Sequence, residues 1–139
     1  MFELSIASNG LDTAIDVTDT IADGLREHAP WPGMATIFLR GSSVGLVAMR
    51  FEPGTVRDLL EALEGVAPVG KTYAHELTTG DRNGFAHIRS SLLGTSLNAP
   101  WTGEAFDVSS SHRFVLFDFD LKPAQRTIVV SCAKGHTEP

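Results

Sequence analysis

Cysteine is nearly absent: Cys132 is the only one in 139 residues. An intrachain disulfide framework is therefore excluded. Cys132 lies in an apolar, strand-like run, so a buried inert thiol is expected, in keeping with a reducing cytoplasm. No apolar run approaches the length of a membrane span. The N-terminus, MFELSIASNG, lacks the basic stretch followed by an apolar one that marks a leader. Positive charge is also scarce. Eleven Lys and Arg against seventeen Asp and Glu leave a net charge of −6, which argues against a nucleic-acid groove. There is no repeat, linker or low-complexity segment, no GxxxxGK[ST] phosphate loop, and no HExxH zinc pair. Ser109, Ser110 and Ser111 precede His112, but without the strand–turn–helix setting of a nucleophile elbow they do not make a Ser-His hydrolase.

What is present is ordinary globular material, 42% hydrophobic and 20% charged, sufficient for one domain over residues 1–139. Phe2, Leu4 and Ile6 alternate with Glu3 and Ser5, the pattern of a half-buried strand. Asn9-Gly10 is a hairpin-turn signal, leading into a second strand through Ala14, Ile15 and Val17. Thr18 or Asp19 can cap a helix carrying Ile21, Leu25 and His28, with His28 a surface residue suited to the helix end. Pro30-Trp31-Pro32-Gly33 breaks it. Met34–Leu39 and Val44–Phe51 read as strands around Gly41-Ser42-Ser43. Pro53-Gly54-Thr55 opens a helix whose Val56, Leu59, Leu60 and Leu63 form one apolar stripe; Gly65 and Pro68 end it. Short strands follow near Leu97–Trp101 and Glu104–Val108. Phe114–Phe119 is apolar on both faces, hence central in its sheet, and Arg126–Ala133 is a β-branched strand. Gly135–Pro139 is a tail, with His136 given no role. About eight strands, two hairpin-like pairs and three helices make an α+β fold of layered, mostly antiparallel sheets.

The densest chemistry lies between Tyr73 and Leu97. It reads as a Tyr-x-His strand end at Tyr73 and His75, a turn at Gly80-Asp81, and a helix with Asp81 as N-cap and Gly94 as stop. Phe85, Ile88 and Leu92 share one face at about 100° per residue; Asn83, His87 and Ser90 share the other, turned towards water, a pocket or another subunit. Two histidines bracketing an Asp and an Asn point to a polar site, although the spacing is no zinc signature.

The same residues carry a resemblance. Tyr73-x-His75, Asp81-x-Asn83, then Ala86-His87-Ile88-x-Ser90-Ser91-x-Leu93-Gly94-x-Ser96-Leu97 resembles the YjbQ-like family, also called the secondary thiamine-phosphate synthase family. The likeness runs over nearly the whole chain. It implies an α+β fold assembled as a homotrimer. It also implies a reaction joining a pyrimidine diphosphate to a thiazole phosphate, with His75, His87, Asp81 and Asn83 as catalytic residues. Arg50, Ser90 and Ser96 would bind phosphate.

This chain departs from the family pattern at three polar positions. Members carry His-Thr-Ser/Thr-Ala after the third strand, where Gly41-Ser42-Ser43-Val44 stands here. They carry Asn-Glu at the end of the next, where Met49-Arg50 stands, and Gly-Thr-Trp-Gln where Ser109-Ser110-Ser111-His112 stands. A divalent metal such as zinc is implied at His75 and His87, and His112 is a candidate third imidazole in place of the one lost at Gly41. Arg50 near that metal would oppose it by about 3 kcal/mol per unit charge at about 5 Å, whereas its planar guanidinium suits phosphate. Two functions follow: a phosphate-ester transferase of the family type, or a non-catalytic, repurposed trimeric binding protein with a degenerate pocket.

Overall fold

The computed structural model describes residues 1–136, and the last three residues of the expected tail, 137–139, lie outside the described residues. These residues form seven strands and four helices: β1 Phe2–Ser8, β2 Thr13–Asp16, α1 Thr18–His28, β3 Gly33–Leu39, β4 Val44–Arg50, α2 Pro53–Val66, α3 Ala74–Thr79, α4 Gly84–Leu93, β5 Ser96–Trp101, β6 His112–Asp118 and β7 Ala124–Lys134. The expected strand at Glu104–Val108 is reduced to a single bridge between Trp101 and Phe106. The expected strand end at Tyr73 is instead the residue before α3.

The strands form two antiparallel sheets, a four-stranded one in the order β1-β7-β3-β5 and a three-stranded one in the order β2-β6-β4. Odd-numbered strands fill the first and even-numbered strands the second, so no two consecutive strands pair. Both expected hairpins are therefore absent. Asn9-Gly10 makes a tight turn, with Gly10 at φ 90° and Asp12 at φ 60°, but the strands either side of it pair with β7 and β6. The stretch 41–43 likewise hands the chain from β3 in one sheet to β4 in the other. A turn signal reports a sharp reversal of the chain; it does not say which strand lies beside which.

Side-chain alternation explains the two cores. Phe114 and Leu116 of β6 face the four-stranded sheet and α1, meeting Ile37, Leu39, Leu46 and Ile128. Val115 and Phe117 face the other way, against Leu63 of α2 and Phe85 of α4. The double-faced apolar pattern of β6 thus places it centrally, as expected. Each fully buried aliphatic or aromatic side chain here contributes about 1.5–3 kcal/mol. Among the described residues the other face of the four-stranded sheet carries no helix, and there Met34 and Phe38 are about half exposed.

The helix ends show what local pattern missed. Glu52 caps α2 by accepting from the N–H groups of Gly54 and Thr55. For α1, Asp16 rather than Thr18 or Asp19 takes the Thr18 N–H, because the Thr18 hydroxyl accepts instead from the Phe114 N–H. On α4 the buried residues are Gly84, Phe85, Ala86, Arg89 and Ser90, while Ile88 and Leu92 are exposed. The expected apolar stripe is therefore only one-third right. Arg89 displaces it: its guanidinium is buried between the rings of Phe85 and Phe119, donating to Ala67 O, Asp12 and Glu64.

Candidate functional site

The turns joining β3 to β4 and β6 to β7 meet at one end of the sandwich, where Ser43 Oγ donates to Asp120 at 2.9 Å. Helices α3 and α4 are packed onto that end at very close range. A Cβ on Gly84 would lie 2.6 Å from Tyr73 Cβ and 3.4 Å from His75 Cβ, so only glycine permits the approach. The approach brings His75, on α3, against His87, on α4, with ring centroids 4.5 Å apart and planes at 77°.

Hydrogen bonding assigns the protons on these rings. His87 Nδ1 lies 2.8 Å from the carbonyl oxygen of Ser42. A carbonyl only accepts, so Nδ1 carries the hydrogen and Nε2 keeps a lone pair. His75 Nε2 lies 3.1 Å from Asn83 Oδ1. The Asn83 amino group is turned to Asp120 Oδ1 at 3.5 Å, which leaves Oδ1 to accept from His75 Nε2–H. The free nitrogen of His75 is then Nδ1, again with a lone pair. Both imidazoles thus present a basic nitrogen away from the groups that orient them.

Asp120 anchors this arrangement. Burial pushes its carboxyl up, but the Ser43 hydroxyl, the Leu121 N–H, the Asn83 amide and nearby Arg126 together hold it below the ordinary carboxylate range. Arg126 also grips the fully buried Asp118 through two hydrogen bonds of 2.7 and 3.0 Å. Ser42, Ser43, Asp118, Asp120 and Arg126 were not anticipated as part of the site. The signal available for them was Asp118-x-Asp120 closing an otherwise apolar strand, with an Arg six positions further on.

The remaining anticipated residues scatter. Asn83 precedes the first residue of α4, the position expected for Asp81, and makes no cap bond because its amide serves His75 and Asp120. Asp81 sits in the α3–α4 loop, where its N–H takes the Thr79 hydroxyl. Ser90 is buried under α4 and does not share the exposed face of His87. Ser96 is exposed on β5, opposite Phe38 of β3. Arg50 and His112 face each other across β4 and β6, while Val44 and Asp118 pair at the histidine end of the same two strands. Six residues of extended chain separate the two ends by about 20 Å. Within one chain His112 cannot complete a set with His75 and His87, which corrects the three-imidazole expectation.

The family-type metal can be tested against this geometry. Two oriented imidazole lone pairs are the right kind of donor. Catalytic zinc takes three protein ligands, and among the described residues no group of three His, Cys, Asp or Glu is placed to hold an ion. Gly41, where the family pattern has histidine, adopts φ +135°, and a Cβ there would lie 2.9 Å from Val44 Cγ2. Among the described residues, one chain therefore supplies two of the three donors such a site takes.

Two antiparallel sheets packed with four helices, among the described residues, define an α+β protein. The profile of the family described as "UPF0047 protein YjbQ-like" matches residues 2–135, and the chain belongs to that family. A UPF0047 protein of Archaeoglobus fulgidus is 28% identical over 127 residues, covering 91% of this chain and 97% of that protein. The crystal structure of an uncharacterized YjbQ/UPF0047 protein from Clostridium acetobutylicum superposes with a TM-score of 0.83 at 25% identity, covering 96% of this chain and 100% of that one. A hypothetical protein from Aeropyrum pernix K1 has the same fold, with a TM-score of 0.83 at 20% identity over 97% of this chain and all of its own. Among the described residues no helix is long and apolar enough to cross a membrane.

Proposed function

We propose that the chain is a transferase acting on phosphorylated small molecules at His75 and His87. The reaction is the one the sequence resemblance implies: condensation of a pyrimidine diphosphate with a thiazole phosphate. The thiazole nitrogen forms a bond to the pyrimidine methylene carbon, the carbon–oxygen bond to diphosphate breaks, and the electron pair leaves with pyrophosphate. Imidazole exchanges protons near neutral pH. One ring of the pair, protonated at its free nitrogen, would donate to the departing pyrophosphate oxygen. The supporting observation is the edge-on contact of two rings whose proton-bearing nitrogens are already engaged, leaving both other nitrogens for a ligand. No step requires a metal. A homotrimer in a reducing cytoplasm completes the proposal; the uncovered sheet face bearing Met34 and Phe38 offers a surface for it.

A second reading, a binding protein without turnover, is favoured by one observation: Gly41 cannot supply the imidazole of the family pattern. A turnover assay with the two substrates, run with and without added zinc, separates the readings. Pyrophosphate release lost in both His75→Ala and His87→Ala supports the transferase. Substrate binding by calorimetry without release of pyrophosphate supports the binding protein. Release unaffected by either substitution removes the histidine pair from the function altogether.

A further inference from the structure

The dipeptide Asn-Gly stands at two places in the chain, Asn9-Gly10 and Asn83-Gly84. Glycine has no Cβ to shield its backbone nitrogen, so in this pair the nitrogen can attack the side-chain amide carbon of the residue before it. The attack needs an asparagine amide free to turn, a backbone free to rotate between the two residues, and a glycine N–H able to release its proton. The fold treats the two pairs very differently.

At Asn83 the first two freedoms are withdrawn. Its Oδ1 accepts from His75 Nε2 and its amino group donates to Asp120, so the amide is held on both sides. Its carbonyl accepts from the N–H groups of Ala86 and His87 in the first turn of α4, so rotating that peptide would undo the start of the helix. Gly84 is also closely packed against Tyr73 and His75.

Asn9 is exposed, in the turn between β1 and β2. Among the described residues its carbonyl accepts no backbone hydrogen bond. One restraint remains: the Gly10 N–H donates to Ser8 Oγ at 3.1 Å.

We propose that Asn9 is a site of spontaneous deamidation, and that Asn83, in the same dipeptide, is protected by its place in the fold. The Gly10 nitrogen gives up its proton and bonds to Asn9 Cγ. The bond from Cγ to the side-chain nitrogen breaks, and that nitrogen takes up the proton and leaves as ammonia. Water then opens the succinimide. Opening at the main-chain carbonyl carbon leaves the chain running through Cβ and Cγ, an iso-aspartyl residue with a new carboxylate and a longer backbone. Gly10 lies against the β6–β7 turn: a Cβ on it would be 2.9 Å from Lys122 O and 3.0 Å from Asp120 O. Lengthening the chain just before Gly10 displaces the turn that carries Asp120, the residue that orients Asn83. The inference rests on these two surroundings and not on the reading given for the histidines.

The full chain is incubated folded at neutral pH beside a sample kept unfolded in urea. Peptide mapping by mass spectrometry follows each dipeptide, reading the exchange of NH₂ for OH and resolving iso-aspartyl from aspartyl products. In the folded chain Asn9 should convert about 10- to 30-fold faster than Asn83, the equivalent of two net hydrogen bonds. In urea the two rates should converge. Ser8→Ala frees the Gly10 N–H and should speed conversion of Asn9 about 2- to 10-fold while leaving Asn83 unchanged. The converted chain should show shifted amide NMR signals at Asp120 and Lys122. Equal rates in the folded chain, faster conversion of Asn83, a difference that persists in urea, or unmoved amides at Asp120 and Lys122 would each overturn the proposal.

Discussion

The carboxylate of Asp120 and the imidazole of His75 are joined by a single side chain, the amide of Asn83. Asn83→Ala removes the acceptor for His75 Nε2–H. His75 should then populate both neutral tautomers, where the intact chain holds one. Nitrogen-15 imidazole spectra read this directly, and an unchanged tautomer ratio in the variant would remove Asn83 from the arrangement. The bond's net contribution to stability is about 1 kcal/mol, so the spectrum is the sharper readout.

Gly84 makes a different kind of demand. Adding one methyl forces Tyr73 and α3 outward, and overpacking of this kind costs about 1–3 kcal/mol. Gly84→Ala should therefore lower the melting temperature and also separate the two histidine rings. Loss of the cross-ring nuclear Overhauser contacts between His75 and His87 is the specific check, because a purely global destabilisation would leave them in the folded fraction.

Arg89 is the buried cation of the second core, with 1% of its side chain exposed, while its partners Asp12 and Glu64 are about half exposed. Arg89→Met keeps much of the volume but leaves the Ala67 carbonyl without its donor. A loss of about 2–4 kcal/mol is expected from urea denaturation. Arg89→Lys should recover little of it, since an ammonium cannot reproduce a fork that reaches three acceptors.

Acid should destabilise the fold in a defined direction. Burial raises the carboxyls of both Asp16 and Asp120, but their hydrogen bonds and neighbouring arginines outweigh it and hold each below its ordinary value. The unfolded chain therefore takes up protons first. The stabilisation from both groups is complete above pH of about 4 and is lost as pH falls through the lowered folded-state values. Denaturation midpoints measured from pH 6 down to pH 3 should drop at the acid end. Asp16→Asn and Asp120→Asn should start lower and fall less steeply; parallel curves would refute the assignment.

Much of the framework was legible because one-dimensional periodicity carries it. Alternation marks β1, the double-faced run marks β6, and the Val56–Leu63 stripe marks the buried side of α2. Pairing was not legible, since Asn9-Gly10 looks the same whether its flanking strands meet or part. Nor was the inward side of α4, where one arginine sandwiched between two phenylalanines overrides the apolar spacing of Ile88 and Leu92. At the site, His75, His87 and Asn83 could be picked out because they are near in sequence. Asp120 and Ser42 could not, because they reach those rings only through the sheet-to-sheet turns, and within one chain Arg50 and His112 lie at the far end of β4 and β6.

The alternation of strands between the sheets has a consequence for how the chain is made. Every strand pairing joins one of β1 to β4 with one of β5 to β7. During synthesis the first four strands emerge with nothing to pair against, and both sheets must wait for the final third of the polypeptide. Such a molecule assembles late and from distant contacts, and a nascent chain halted before β5 would hold exposed strand edges open to any neighbour.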